Sequence, residues 1–236
     1  MSLSIVIPVY KEKNNLQKLS YRISKSFKEK NYEIIIIDDD SKDGSEKVLN
    51  ILKKKYKKLK FFIRKQKPRD LSKSCTYGFS KTKFKNILVM DGDLQHRPEE
   101  INKLYKSFIN LNCDFIVGNR GLLKKKNEGL NFIRLITSIL LIYIVNIFLG
   151  FKTNDPMSGF FIFKKKIFNK NKKKLFNKGY KILLDLIYTC KNPTVSDIYI
   201  NFKSRQKGFS KMDLKVIYLL ALIIIQKFLR RIFNYF

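Results

Sequence analysis

Asp91-Gly92-Asp93-Leu94-Gln95 directly follows a short apolar run that ends at Met90. In extended backbone, positions i, i+2 and i+4 project to the same side, so Asp91, Asp93 and Gln95 can converge. Two carboxylates and an amide oxygen are hard donors that suit Mg2+ or Mn2+, ions that keep coordination places for water and diphosphate oxygens. A second acidic turn, Asp38-Asp39-Asp40-Ser41-Lys42-Asp43-Gly44-Ser45, follows another apolar run. Cys75, Cys113 and Cys190 are widely spaced without a CxxC, and His96 is the only histidine. That excludes a zinc site of the usual ligand set and argues against a disulfide framework. His96 reads as structural or solvent-facing rather than as a base.

The elements that must position these residues alternate. Residues 3–9 read as a short buried strand, and Leu16, Leu19, Ile23 and Phe27 recur at helical spacing. Residues 33–37 form a β-branched run that enters the first acidic turn, and a helix from about Glu46 carries apolar Val48, Leu49 and Leu52. Strands are predicted at 59–63, 86–90 and 113–118, with a helix over 71–82. Pro98-Glu99-Glu100 opens another helix, with proline in its first turn and acids at the positive dipole end. Such alternation predicts an α/β fold with a mostly parallel sheet and helices on both faces. Ligands in these folds sit at the carboxyl ends of the strands, where both acidic turns fall.

The chain has 236 residues, with 50 Lys+Arg against 19 Asp+Glu and a net charge of +31. A hydrophobic content of 44% excludes a disordered polycation. The charge points to anionic partners: nucleic acid, a membrane surface or an anionic substrate. Runs such as Lys53-Lys54-Lys55 and Lys172-Lys173-Lys174 read as solvated faces. Residues 135–149 are nearly all apolar, broken only by Thr137, Ser138 and Asn146. As a helix they reach about 22 Å, short of a hydrocarbon core of ~30 Å. Residues 216–225 form a second apolar run, followed by Lys227, Arg230 and Arg231 on one helical face. Both segments fit amphipathic helices lying in a membrane interface, apolar face down and basic residues toward lipid phosphates. The first taken alone fits a buried core helix equally well, and the pair in one strongly basic chain favours the membrane reading. The opening residues lack a basic n-region and run into strand-like sequence, so no signal peptide is expected.

Ser4-Ile5-Val6-Ile7-Pro8-Val9-Tyr10-Lys11-Glu12, the 38–45 turn, and Arg69-Asp70-Leu71-Ser72 with Gly78-Phe79 open a series of motifs. Residues 91–99 (DGDLQHRPE), Asp155-Pro156-Met157-Ser158-Gly159-Phe160, Lys178-Gly179-Tyr180 with Asp185, and residues 202–211 (FKSRQKGFSK) complete it. In that order the series resembles family 2 glycosyltransferases of the GT-A fold, in the branch of dolichol-phosphate (polyprenol-phosphate) mannosyltransferases. The resemblance implies a Rossmann-like GT-A catalytic domain over 1–211, including an interface-helix region at 130–150. A C-terminal amphipathic, membrane-associating helix would follow over 212–236.

It also implies roles. Pro8, Tyr10, Glu12 and Asp39 would hold the nucleoside of a sugar nucleotide, with Asp38 supporting the turn. Asp91, Asp93 and Gln95 would bind the Mg2+ or Mn2+ that bridges its diphosphate, and Arg205 and Lys211 would contact the leaving diphosphate. Asp91, Asp93 and Arg205 would be the catalytic set. Arg120, Arg134 and Ser138 would grip the phosphate of a lipid acceptor, with Arg134 and Ser138 at i and i+4 on one face of the first apolar helix. The implied activity is inverting, metal-dependent transfer of a hexose, mannose or glucose, from GDP-mannose or a UDP-sugar to a polyprenyl or dolichyl phosphate. The expected place is the cytoplasmic face of the membrane, as a peripheral or monotopic protein, with a small membrane protein as a further partner. The chemistry is consistent: a lipid phosphate is already anionic, so no strong base is required, and Arg120 and Arg134 can orient it by paired hydrogen bonds.

Two readings compete. A relative that glycosylates a hydroxyl would need a carboxylate base, for which Asp155 or Asp185 are the candidates. A nucleic-acid binder would interleave basic residues with exposed aromatics, whereas the motifs here are acidic turns, so no nucleic-acid partner is expected. The chain departs from the family pattern at four positions. Asp40 and Asp70 stand where glycine is usual, and aspartate tolerates a left-handed backbone better than most residues. Phe161 replaces an arginine, and Asp185 replaces a glutamate one methylene longer, a change that would alter donor preference if that residue contacts the sugar.

Overall fold

A computed structural model describes residues 2–122, 132–202 and 214–233, with backbone alone for 132–134 and 214–215. β-branched runs make the central strands and amphipathic periodicity makes the helices that cover them. In chain order these are β1 (Ser2–Val9), α1 (Lys13–Ser26), β2 (Asn31–Asp38), α2 (Ser45–Lys55), β3 (Leu59–Ile63), α3 (Leu71–Lys81) and β4 (Asn86–Val89). α4 (Ile101–Leu111), β5 (Phe115–Asn119), α5 (Phe132–Leu149), β6 (Phe161–Lys164), α6 (Lys165–Asn171), α7 (Ile182–Thr189), β7 (Val195–Tyr199) and α8 (Leu214–Ile232) follow.

The seven strands form one sheet in the order β3-β2-β1-β4-β6-β5-β7. β6 is antiparallel to both neighbours, and the other four pairings are parallel. β1 runs between β2 and β4, with Val9 opposite Asp38 and Val6 opposite Val89, so both acidic turns leave the same edge of the sheet. Chain order reverses direction across β1, which opens a crevice at that edge. Strand alternation divides the core in two. Ile35 and Ile37 join one apolar layer, and Ile34 and Ile36 join the other with α1 residues Leu16, Leu19 and Ile23.

α5 and α8 belong to the first layer: Ile142, Val145, Leu149, Leu220, Ile223 and Ile224 are buried with the sheet residues. Their opposite faces are exposed and apolar, through Ile136, Leu140, Tyr143 and Ile147 on α5 and Tyr218, Ile225, Leu229 and Ile232 on α8. Among the described residues no helix is long and apolar enough to cross a membrane. One expectation fails here. Lys227 does not turn outward beside Arg231, because it lies on the buried stripe of α8 with Val216, Leu220, Ile223 and Ile224, at i, i+4, i+7, i+8 and i+11. It is 2% exposed.

Candidate active site

The first acidic turn is mostly construction. Asp38 does not reach the crevice: its carboxylate turns inward and accepts from the backbone N–H and hydroxyl of Ser41, fixing the turn. Burial pushes the Asp38 carboxyl above its usual range in spite of those bonds. Asp39 accepts from the Asp70 backbone N–H at 2.8 Å and pairs with the buried Arg64 guanidinium at 2.5 Å. Arg64 in turn donates to Ser74 Oγ and to the Gln66 and Pro68 carbonyls.

The two aspartates at usual glycine positions behave differently. Asp40 has φ +54°, a left-handed backbone, and its carboxylate is held by Lys67 at 2.6 Å. Asp70 is extended, with φ −161°. Its carboxylate caps α3 at the Lys73 N–H and accepts from Gly179 N–H at 2.6 Å, so here the aspartate is a cap and a crosslink.

A cavity of about 480 Å³ opens between the two turns. Pro8, Tyr10, Glu12 and Asp39 line one side, and Asp91, Asp93 and Gln95 line its floor. Arg69, which motif reading did not assign to the site, lies 4.8 Å over the Tyr10 ring and donates to the Asp39 and Asp40 carbonyls. A cation fixed on an aromatic face makes a planar wall suited to a nucleobase or ribose.

Asp91, Asp93 and Gln95 line one cavity, but not through extended backbone. β4 ends at Val89 and a turn follows, with Leu94 in the left-handed region at φ +64°. Asp93 accepts from the Gln95 backbone N–H at 3.1 Å. The Asp91 side chain is 37% exposed and lies 3.5 Å from His96 Nε2. Burial pushes the Asp91 carboxyl up, but the hydrogen bond and charge of His96, with the charges of Arg120 and Lys181, outweigh it and leave the group below its usual range. Two glycines make the arrangement fit. A Cβ on Gly92 would come within 2.6 Å of Val9 Cγ1, and one on Gly159 within 2.2 Å of Asp91 Oδ2. Only bare backbone at 159 lets the Asp91 carboxylate rest there.

Among the described residues no group of three or more His, Cys, Asp and Glu side chains could enclose a metal. Two carboxylates and one amide oxygen facing a cavity still fit Mg2+ or Mn2+, which draw their remaining oxygens from water and a bound diphosphate. His96 is 2% exposed and therefore not solvent-facing; it is packed against the Phe160 and Phe202 rings at 5.2 and 5.0 Å.

Arg120 and, from α5, Ser138 and Leu141 also line the cavity. Arg120 makes a two-pronged pair with Asp155, at 2.7 and 2.8 Å. Burial works against its charge, but Asp155 and Asp91 more than offset this and raise its pKa further. Arg134 lies in the first turn of α5, one turn before Ser138, and its side chain, like Arg205 and Lys211, lies outside the described residues. The two base candidates are both occupied: Asp155 is 0% exposed and held by Arg120, while Asp185 is 1% exposed and held by Lys227. Tyr180 and Lys181 also line the cavity. The Lys178-Gly179-Tyr180 motif was the signal for them, but spacing alone does not show which of its residues face inward.

Comparison with known proteins follows the same outline. The family model described as glycosyl transferase family 2 matches residues 4–171. A dolichol-phosphate mannosyltransferase of Pyrococcus furiosus is 33% identical over 220 residues, which cover 92% of this chain and 61% of that protein. The chain thus spans about three fifths of that relative. A dolichol-phosphate mannosyltransferase of Saccharomyces cerevisiae is 30% identical over 226 residues, 91% of this chain and 82% of that one. Among solved structures, glucosyl-3-phosphoglycerate synthase from Mycobacterium tuberculosis in complex with Mn2+, UDP and glucosyl-3-phosphoglycerate superposes with a TM-score of 0.71. The match covers 97% of this chain and 79% of that one at 14% identity, a likeness of fold.

Proposed function

The chain belongs to glycosyl transferase family 2, with the GT-A fold, and from that premise we propose that it moves a hexose from a nucleotide-sugar to a polyprenyl phosphate. The hexose is mannose or glucose, the donor is GDP-mannose or a UDP-sugar, and the relatives named dolichol-phosphate mannosyltransferase favour mannose. The observation that carries the reading is one cavity with two unlike walls. Asp91, Asp93 and Gln95 line it from the turn after β4, and Ser138 and Leu141 line it from α5, whose outer face is apolar. A charged donor and a lipid acceptor need those two surroundings within one site.

Glycosyl transfer passes through an oxocarbenium-like state while negative charge grows on the departing diphosphate. Asp91, Asp93 and Gln95 would hold a divalent ion, which when bound neutralises that diphosphate as a Lewis acid. The stack of Arg69 on Tyr10 would receive the nucleoside, with Pro8, Glu12 and Asp39 around it. Lys181 adds positive charge near Asp91. Arg205 and Lys211 would add more on the diphosphate side, and Arg134 and Ser138 would meet the acceptor phosphate. Arg120 is held for that phosphate by the Asp155 fork. An ionised phosphate oxygen attacks without a base, and attack opposite the leaving group inverts the anomeric carbon. A hydroxyl acceptor would need a base, and both candidate carboxylates are buried and ion-paired.

The exposed apolar faces of α5 and α8 would lie in the membrane interface. On this reading residues 1–211 catalyse and 212–236 associate with the cytoplasmic face of the membrane as a peripheral or monotopic anchor. A small membrane protein would add to the anchoring.

The test is incubation of the protein with Mn2+ or Mg2+, a panel of labelled nucleotide-sugars and polyprenyl phosphate. Labelled product in the organic phase, absent with Asp93→Ala, is expected. Transfer only to water-soluble acceptors would overturn the reading.

A further inference from the structure

Of the three basic residues near the end of α8, Lys227 alone is fully buried. Its Nζ lies 2.6 Å from Asp185 Oδ1 and donates to Thr189 Oγ1, and the Lys227 and Asp185 side chains are each 1% exposed. Burial pulls the Lys227 ammonium below its usual range, with Asp185 opposing the shift. Such a pair adds little net stability over apolar residues of similar volume, so stability alone does not account for it.

Asp185 has a second set of partners. Its Oδ1 accepts from the Phe176 N–H at 3.0 Å, and its Oδ2 from the Asn177 N–H at 2.8 Å. Those two residues begin the segment that reaches the cavity at Tyr180 and Lys181. Asn177 and Gly179 both have left-handed backbones, at φ +50° and +84°, so the segment must be held in shape from outside. Three side chains and one backbone bond, from the Ser72 N–H to the Gly179 carbonyl, do the holding. Asp185 takes its first amides, Asp70 takes the Gly179 N–H, and Thr76 bonds the Asn177 side chain. One carboxylate accepts from both amides and from the ammonium together, so the three contacts share a single side chain.

We infer that Lys227 is a positioning residue for the transfer reaction: acting through Asp185, it fixes residues 176–181 and so holds Tyr180 and Lys181 on the cavity wall. The catalytic consequence rests on the proposed function, while the mechanical one does not. The link runs from the helix that would face the membrane to the wall nearest Asp91, and it makes α8 part of the active site without touching a substrate.

Three forms of the full chain test this: wild type, Lys227→Met, and Lys227→Met with Asp185→Asn. The double variant removes both buried charges, so it restores stability, but its amide oxygen replaces only part of the hydrogen bonding. Amide hydrogen exchange followed in the peptide covering 175–181 reads the mechanics, with peptides from β1 and β2 as internal reference. Both variants are expected to speed exchange in 175–181 at least tenfold relative to β1 and β2. The double variant should regain the wild-type Tm and still show kcat/KM for the nucleotide-sugar about 10-fold to 100-fold down. Unchanged exchange in 175–181 would overturn the inference, as would recovery of both Tm and kcat/KM in the double variant. If wild type transfers no sugar, the proposed function fails alone, and the exchange measurement still decides the link.

Discussion

Asp38-Asp39 and Asp91-Gly92-Asp93 leave β2 and β4, the two strands that flank β1, at the same edge of the sheet. At the first turn, Asp38 and Asp39 are 2% and 5% exposed and engaged by Ser41, Arg64 and the Asp70 amide. At the second, the Asp91 side chain is 37% exposed and its carboxylate, with that of Asp93, faces the cavity. The pKa directions separate too: burial raises Asp38, while His96 and nearby cations overcome burial to lower Asp91. Asp38, whose partners are all protein, builds the turn, and Asp39 is held by protein partners while also lining the cavity. A carboxylate that keeps a face toward a cavity is available to a ligand.

Substitutions can break this contrast. The largest effect is expected from Asp39→Ala, which leaves the Arg64 guanidinium buried without its partner, at a cost of about 3–5 kcal/mol. Thermal unfolding should then show a Tm lower by roughly 6–20 °C. An unchanged Tm would dissolve the distinction between the turns. Asp93→Ala is expected to do the reverse, keeping the wild-type Tm while transfer falls roughly 100-fold to 1000-fold. Ser41→Ala removes a hydroxyl donor from the buried Asp38 carboxylate and should lower stability by about 1–3 kcal/mol in a denaturant titration. Its kcat/KM per folded molecule should stay at the wild-type value. Asp40→Gly is the smallest: glycine adopts φ +54° freely and the ion pair it removes is to Lys67, whose side chain is 54% exposed, so Tm and transfer should both match wild type.

The contrast also marks what was legible in the sequence. β1 to β5 and the helices between them carry strong local periodicity, and their order places both acidic turns on one edge. Spacing put Asp91, Asp93 and Gln95 on one side of an extended backbone, whereas they lie in a turn with Leu94 left-handed. β6, Phe161–Lys164, lies outside the alternating strand–helix series, and its antiparallel place between β4 and β5 depends on pairing distant in sequence. Lys227 was misread because three basic residues on one helical face look solvated, and the carboxylate that draws one of them inward sits on another helix. Asp38 was separable from Asp39 only by its partner three residues on, Ser41, whose hydroxyl turns the carboxylate inward.

α5 meets three neighbours at once: the cavity through Ser138 and Leu141, the core through Ile142, Val145 and Leu149, and the outside through Ile136, Leu140, Tyr143 and Ile147. Few positions on such a helix are free to drift. An apolar residue can replace another on the outer face, a volume-matched one on the inner face, and almost nothing but a small polar group at Ser138. Over many generations the segment should therefore keep its chemical character while exchanging its letters, so that hydropathy would follow this helix through divergence after identity had faded.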